Sequence, residues 1–138
     1  MDLQTAKKLL KDHNFTCVLV QGEAVHTSFD RGVKPLLSWL EAGSVYPGFS
    51  AADKVVGKAT AYLYCLLGAK AVHANVMSDA ALAVLEEYGI AATFDRRVDY
   101  IRNRTNTGMC PMEEATQAVT CPEDAPAAIR AKLAQLNS

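Results

Sequence analysis

A short polar stretch, RNRTNTGMCPMEEA at 102–115, holds the side chains best suited to binding an anion. The planar guanidinium groups of Arg102 and Arg104 match phosphate or carboxylate, and the predicted helix that follows offers unbonded backbone NH groups. One alternative is a solvent-exposed surface on which Asp95 and Asp99 neutralise the arginines. The other is a loop that only connects two elements and caps the helix that follows. The predicted ligand-binding residues of the stretch are Arg102, Arg104, Thr105, Thr107, Gly108 and Glu113.

Cys110 is the candidate nucleophile of this stretch. It precedes Pro111, and proline is favoured at the first position of a helix, so the thiol occupies a predicted N-cap. Helix N-termini favour the thiolate form of cysteine. Glu113 stands where the acid of a capping box would reach back, or where an acid or base partner would sit. A plain cap, ligand binding without chemistry and covalent catalysis by Cys110 all stay open.

The second candidate region is FSAADK, which we interpret as the start of a helix over 50–67. Ser50 and Asp53 then form a capping pattern, although Asp53 is also a candidate catalytic residue. Lys54 and Lys58, four residues apart on one face of that helix, would direct two cations at a ligand, and Lys54 is a predicted ligand-binding residue. A solvated helix face is the alternative.

The rest of the chain alternates between helical and strand patterns. Beyond the helix at 50–67, the sequence predicts helices ending near His13, at 33–43, at 78–89, after Cys110 and from Pro122, with a hairpin at 15–28 and strands at 69–77 and 90–94. This order predicts one domain over 1–138 with a three-layer α/β fold, in which helices flank a mixed sheet of at least four strands. The hairpin should be antiparallel, and the strands joined through helices should be parallel. Ligands of such sheets usually bind at the carboxyl ends of the strands.

Composition excludes several classes of protein. Half of the 138 residues are apolar, 21% are charged and the net charge is −1, which argues against a disordered chain and against a global field for nucleic acid or membranes. The longest apolar run, at 61–69, is far short of the roughly 20 residues that span a bilayer. The N-terminal helix lacks a signal-peptide core, so we expect a cytoplasmic protein. Four irregularly spaced cysteines predict free thiols, with Cys17 and Cys65 as core fillers.

Three separated stretches, RGVKPLL, GFSAADKVVGKA and NRTNTGMCPMEEA, resemble a small bacterial and archaeal family of uncharacterised proteins. The resemblance extends over nearly the whole chain and implies a cytidine-deaminase-like fold. It implies no activity, because the family has none established.

The zinc-deaminase signature is a separate question from the fold. Zinc deaminases carry a His or Cys followed two residues later by Glu, and a Cys-x-x-Cys pair, at the starts of two helices. The predicted helix starts SAADK and MSDAAL contain neither. We therefore expect no metal, no cofactor and no classical zinc-dependent cytidine deamination.

Three hypotheses about function remain. The first is a small anionic or nucleotide-like ligand bound between the 50–54 region and the loop at 102–110. The second is an enzyme that uses Cys110 as nucleophile or redox thiol, assisted by Asp53 or Glu113. The third is a non-catalytic module that forms a homo-oligomer or docks a partner through its apolar helices. Neither a membrane nor nucleic acid is expected as a partner. For nucleic acid the reason is that only two aromatic residues near the arginines, Phe94 and Tyr100, are available for bases to stack on.

Overall fold

The computed structural model describes residues 1–30 and 32–137. The strands are β1 (Cys17–Gln21), β2 (Ala24–Ser28), β3 (Ser50–Val56), β4 (Ala71–Ser78) and β5 (Ala91–Val98). The helices are α1 (Asp2–His13), α2 (Lys34–Ala42), α3 (Lys58–Leu67), α4 (Asp79–Glu87), α5 (Pro111–Thr116) and α6 (Ala125–Asn137), with a 3-10 turn at Pro122–Asp124.

The five strands form one mixed sheet in the order β2-β1-β3-β4-β5. Strand β1 is antiparallel to β2 and to β3, whereas β3, β4 and β5 are mutually parallel. All strands except β1 therefore run in the same direction. The predicted mixed α/β sheet and its antiparallel hairpin are confirmed, as is the shared direction of β2, β4 and β5.

Helices cover both faces of this sheet. On one face, α1 packs on β1 and β3 through a small cluster of Ala6, Leu10, Val18, Val20 and Ala52. Alternate residues of the same strands, such as Leu19 and Ala51, belong to the larger cluster that the remaining helices complete on the other face. Successive residues of a strand point to opposite faces, so β1 and β3 contribute to both apolar layers.

The predicted helix over 50–67 is wrong in its first part, because residues 50–56 form β3. This strand lies between β1 and β4 and is buried on both faces, so it lacks the alternating pattern that marks a half-exposed strand. Gly57, in an extended conformation, separates β3 from α3. Ser50 is therefore a buried strand residue and caps no helix, and Asp53 and Lys54 point to opposite faces of the sheet.

Several predicted helix ends are confirmed. The Ser78 hydroxyl accepts the backbone NH of Ala81 at 3.2 Å and so caps α4. Gly43 and Gly68 end α2 and α3 with left-handed φ angles of 64° and 85°.

All four cysteines are free thiols, as predicted. Within the described ranges, every helix is too short or too polar to cross a bilayer.

Candidate ligand-binding cavity

A cavity of about 960 Å³ opens at the edge of the sheet where β3 ends and α3 begins. The end of β2, the start of α5 and the C-terminal part of α6 complete its walls. Its apolar lining consists mainly of Phe29, Val33, Ile101, Met112, Leu133 and Leu136. The cavity therefore lies at the carboxyl ends of strands, where ligands of α/β sheets usually bind.

Most of the predicted site residues line this cavity. Those in the lining are Asp53, Lys54, Arg102, Arg104, Thr105, Cys110 and Glu113. Thr107 and Gly108 do not belong to the lining. The fold thus brings together two regions separated by about 50 residues of sequence, although their binding of a ligand stays a prediction.

Four cationic side chains face the cavity, namely Lys34, Lys54, Arg102 and Arg104. The Arg102 guanidinium lies 4.9 Å from the ring centre of Tyr100 and donates to its hydroxyl at 3.2 Å. Lys54 Nζ donates to Asn14 Oδ1 at 2.9 Å. Within residues 1–30 and 32–137, the side chains of Arg104 and Lys34 form no hydrogen bond or ion pair. These two cations are therefore free to meet a ligand.

Lys58, the expected companion of Lys54, lies outside the cavity lining. Its Nζ donates to the backbone carbonyl of Gln117 at 3.2 Å and lies 5.7 Å from the Tyr62 ring centre. Because Lys54 is in β3 and Lys58 begins α3, the two do not share a helix face. The prediction that Lys54 and Lys58 direct two cations from one helix face is wrong. Lys34, which sequence analysis missed, supplies another cation from the start of α2.

Asp53 forms a buried polar wall of the cavity, with 8% of its surface exposed. The Tyr64 hydroxyl donates to its Oδ2 at 2.7 Å, and the backbone NH of Val55 approaches Oδ1 at 3.3 Å. Burial raises the pKa of Asp53 to about 7, because desolvation disfavours the carboxylate more than these hydrogen bonds favour it. Asp53 can therefore gain or lose a proton near neutral pH.

Cys17 lines the cavity beside Asp53, and Tyr64 is fully buried outside the lining. The Cys17 sulfur lies 3.2 Å from the Tyr64 hydroxyl, and β1 pairs Cys17 directly with Asp53 of β3. Burial raises the pKa of the Cys17 thiol and that of the Tyr64 phenol well above their ordinary values, so both stay protonated at neutral pH. Cys17 belongs to the larger apolar cluster, as predicted of a core filler, but only the register of β1 with β3 reveals that it adjoins Asp53. Sequence analysis missed Tyr64, which reaches Asp53 from α3.

Glu113 caps a helix other than its own. Its Oε1 accepts the backbone NH of Lys58 at 2.6 Å, and its Oε2 accepts that of Ile101 at 2.9 Å. The predicted capping box between Glu113 and Cys110 is therefore wrong. Both carboxylate oxygens are occupied by backbone donors, so Glu113 holds the start of α3 against the segment before the loop.

The polar loop at 103–108 is held by hydrogen bonds among Asn103, Thr105 and Thr107. Asn103 Oδ1 accepts the backbone NH of Thr107 at 3.0 Å and the Thr105 hydroxyl at 3.2 Å, and the two threonine hydroxyls lie 2.8 Å apart. The backbone NH of Asn103 donates to the Gly108 carbonyl at 2.9 Å. The threonines therefore shape the loop that carries Arg104, and Asn103 is the residue that organises it.

Cys110 is the N-cap residue of α5, as predicted, and its half-buried thiol lines the cavity. The side chain makes no capping hydrogen bond. Among residues 1–30 and 32–137, no three His, Cys, Asp or Glu side chains are grouped to hold a metal ion. The helices that follow β2 and β3 begin with KPLL and KATA, which also lack the zinc-deaminase residues.

Comparison with known proteins identifies the family. The family model described as "TM1506: Domain of unknown function (DUF1893)" matches residues 5–133. The crystal structure of a DUF1893 family protein (TM1506) from Thermotoga maritima is 26% identical, with a TM-score of 0.87 over 95% of this chain and 89% of that chain. No curated protein matches. The expected membership of an uncharacterised family is thereby confirmed, and the chain belongs to the DUF1893 family of domains of unknown function.

Proposed function

We propose that the cavity binds a small anionic ligand with an apolar or aromatic part, such as a nucleotide. The observation that supports this most directly is that four cationic residues line one cavity against three acidic ones, of which Glu113 is bonded to backbone NH groups and Asp53 is buried. Lys34 and Arg104 form no hydrogen bond or ion pair among the described residues, and a bound anion would offer them a counter-charge. Arginine also offers a planar pair of donors to phosphate.

The other wall of the cavity suits the uncharged part of such a ligand. The ring of Phe29 is 66% exposed at the rim, and Leu136 is 54% exposed. Large apolar side chains that stay exposed around a cavity commonly mark a binding site. A flat aromatic base could stack on Phe29 while its phosphate meets Lys34 and Arg104.

The same features support a cytidine-deaminase-like fold with different chemistry. The cavity lies where α3 begins after β3, and zinc deaminases carry their metal ligands at such helix starts. Here the helix start carries Gly57 and is capped by Glu113. We propose that the scaffold is deaminase-like and that its site uses protein cations where the enzymes use zinc, because function resides in the site and not in the fold.

A second candidate function is acid–base or covalent chemistry on the bound ligand. The observation that favours it is Asp53, whose pKa of about 7 suits a general acid or base and whose carboxyl group belongs to the cavity wall. Cys110 lines the same cavity and is the candidate nucleophile. Asp53 is its candidate partner, because it lines the same cavity and its pKa lies near 7, whereas both oxygens of Glu113 hold backbone NH groups in place.

Arg104→Ala tests the binding proposal, with Arg96→Ala as its matched control. Both arginines are exposed and without an ion pair among the described residues, but only Arg104 lines the cavity. We expect calorimetric titration with adenosine and cytidine monophosphates to show binding that Arg104→Ala weakens at least about tenfold and Arg96→Ala leaves unchanged, since a phosphate contact is worth about 1.5–3 kcal/mol. Absence of nucleotide binding to the unmodified chain, or equal affinity in both variants, would contradict the proposal.

A further inference from the structure

A second pocket, of about 530 Å³, lies on the face of the sheet that α1 covers only in part. Helix α1 packs chiefly on β1 and β3, so β4 and β5 beyond it are less fully covered, although the ring of His73 is itself buried. The floor of the pocket contains His73, Asn75 and Asp95, and the side walls contain the lysines of α1. None of these strand residues belongs to the larger cavity.

We propose that this pocket is an anion site in which Lys7, Lys11 and Lys54 hold a phosphoryl group. Lys7 and Lys11 are four residues apart on α1 and therefore lie on the same side of the helix, facing the pocket. Neither forms an ion pair or a side-chain hydrogen bond within the described ranges. Three ammonium groups that line one concave surface and form no ion pair among the described residues attract a multiply charged anion.

The acidic groups of the pocket are already engaged. Asp12 accepts from Lys8 Nζ at 2.6 Å, and both of these residues also line the pocket. Asp95 lies 3.3 Å from His73 Nε2, and the other ring nitrogen of His73 lies 2.8 Å from the Thr93 hydroxyl. The pocket therefore holds four lysines, Lys7, Lys8, Lys11 and Lys54, against the two carboxylates of Asp12 and Asp95, and its lining stays net positive.

Asn75 adds a neutral donor to the floor. Its carboxamide is half-buried and has no hydrogen-bond partner among residues 1–30 and 32–137. An amide NH₂ beside ammonium groups completes a donor set for phosphate oxygens. Burial lowers the pKa of His73, so its ring is neutral near pH 7 and contributes no net charge to the site.

Lys54 connects this pocket to the larger cavity. Both Lys54 and its hydrogen-bond partner Asn14 line the two sites. The phosphoryl group could therefore be free inorganic phosphate, or a second phosphate of a ligand whose remainder occupies the larger cavity. The proposal does not depend on nucleotide binding in the larger cavity, because Lys7 and Lys11 contact only the second pocket.

The test is calorimetric titration with inorganic pyrophosphate. We expect binding to the unmodified chain that the double variant Lys7→Ala/Lys11→Ala weakens at least about tenfold, whereas Lys70→Ala, which changes an exposed lysine outside both sites, leaves it unchanged. Circular dichroism should show that the exposed substitutions do not alter the fold. The proposal is overturned if pyrophosphate does not bind, or if the double variant binds it as well as the unmodified chain.

A parallel titration with adenosine 3′,5′-bisphosphate distinguishes the two sources of the phosphoryl group. If one ligand spans both sites, the Lys34→Ala variant and the Lys7→Ala/Lys11→Ala variant should each weaken its binding. If the second pocket takes free phosphate, the double variant should weaken pyrophosphate binding and leave the bisphosphate affinity unchanged. Both results support a phosphoryl site in the second pocket.

Discussion

At the scale of single residues, the carboxyl group of Asp53 is the feature with the clearest consequence. Most buried acids are compensated by a nearby cation, but the contacts that Asp53 receives come from neutral donors, chiefly the hydroxyl of Tyr64 and the backbone NH of Val55. Its neighbour Lys54 points to the opposite face of the sheet and bonds Asn14. Protonation therefore neutralises Asp53 where no cation does so. The free energy of unfolding should depend on pH through this residue.

Asp53→Asn should remove that sensitivity. The pKa of Asp53 is near 3.8 when unfolded and about 7 when folded, so the folded chain binds more protons between these values. Its contribution to stability is complete below about pH 4 and is lost as pH rises through 7, by at most roughly 4 kcal/mol. Urea denaturation should show a stability that falls from pH 5 to 8 in the unmodified chain and falls less in the variant. Asp30→Asn, an exposed change at the same cavity, should retain the pH dependence of the unmodified chain. Equal pH dependence of the free energy of unfolding in all three chains would refute this prediction.

The sequence predicted the charged residues of the cavity better than its buried ones. Arg102, Arg104 and Cys110 lie in one short stretch, and their types suggest chemistry without any knowledge of the fold. Cys17 and Tyr64 carry no such signal, because each matches its apolar neighbours in a buried strand or helix. Their proximity to Asp53 depends on the register of β1 with β3 and on the packing of α3, and neither is encoded in local spacing.

At the scale of elements, β3 shows why the architecture was easier to predict than its boundaries. Alternation of helices and strands along the chain was sufficient to predict a mixed α/β sheet. The segment SAADKVV was predicted as a helix start because Ser50 and Asp53 match a cap. The β-branched pair Val55 and Val56 favours a strand, and Gly57 allows the chain to approach Glu113 closely before α3 begins.

Gly57→Ala should therefore destabilise the junction between β3 and α3. A Cβ at this position would lie 2.9 Å from Glu113 Oε1 and 3.1 Å from Ile101 Cγ1, so the carboxylate that caps α3 would have to move. We expect a loss of about 1–3 kcal/mol in the free energy of unfolding. Gly108→Ala is the matched control, because its Cβ would meet nothing closer than 4.0 Å and its φ is not positive.

The double-mutant cycle with Glu113→Ala identifies the contact responsible. Removing the carboxylate costs stability on its own, because two backbone NH groups lose their acceptor. In the Glu113→Ala background the added methyl of Gly57→Ala has space, so its further cost should be small. Additive costs in the double variant would show that strain elsewhere, and not the cap, makes glycine necessary at position 57.

At the scale of the whole molecule, one sheet joins two apolar layers of unequal size. The layer under α1 is small, and the layer on the other face contains most of the buried side chains. Strands β1 and β3 contribute to both, so disturbing either layer displaces the central strands. The same arrangement separates the two cavities, with Lys54 between them. We therefore expect the chain to unfold as a single cooperative unit.

Leu10→Ala tests this cooperativity from the smaller layer. Leu10 is 5% exposed and packs on β1 and β3 from α1, so truncating it should cost about 2–5 kcal/mol. Trp39, the single tryptophan, belongs to α2 and packs against the larger layer, and its fluorescence therefore reports on the other face. The fluorescence and circular dichroism midpoints in urea should fall together in Leu10→Ala and stay unchanged in Leu136→Ala, an exposed truncation. A variant in which helical signal is lost while the Trp39 transition keeps its midpoint would show that α1 unfolds separately, and the two layers would then not be coupled through the sheet.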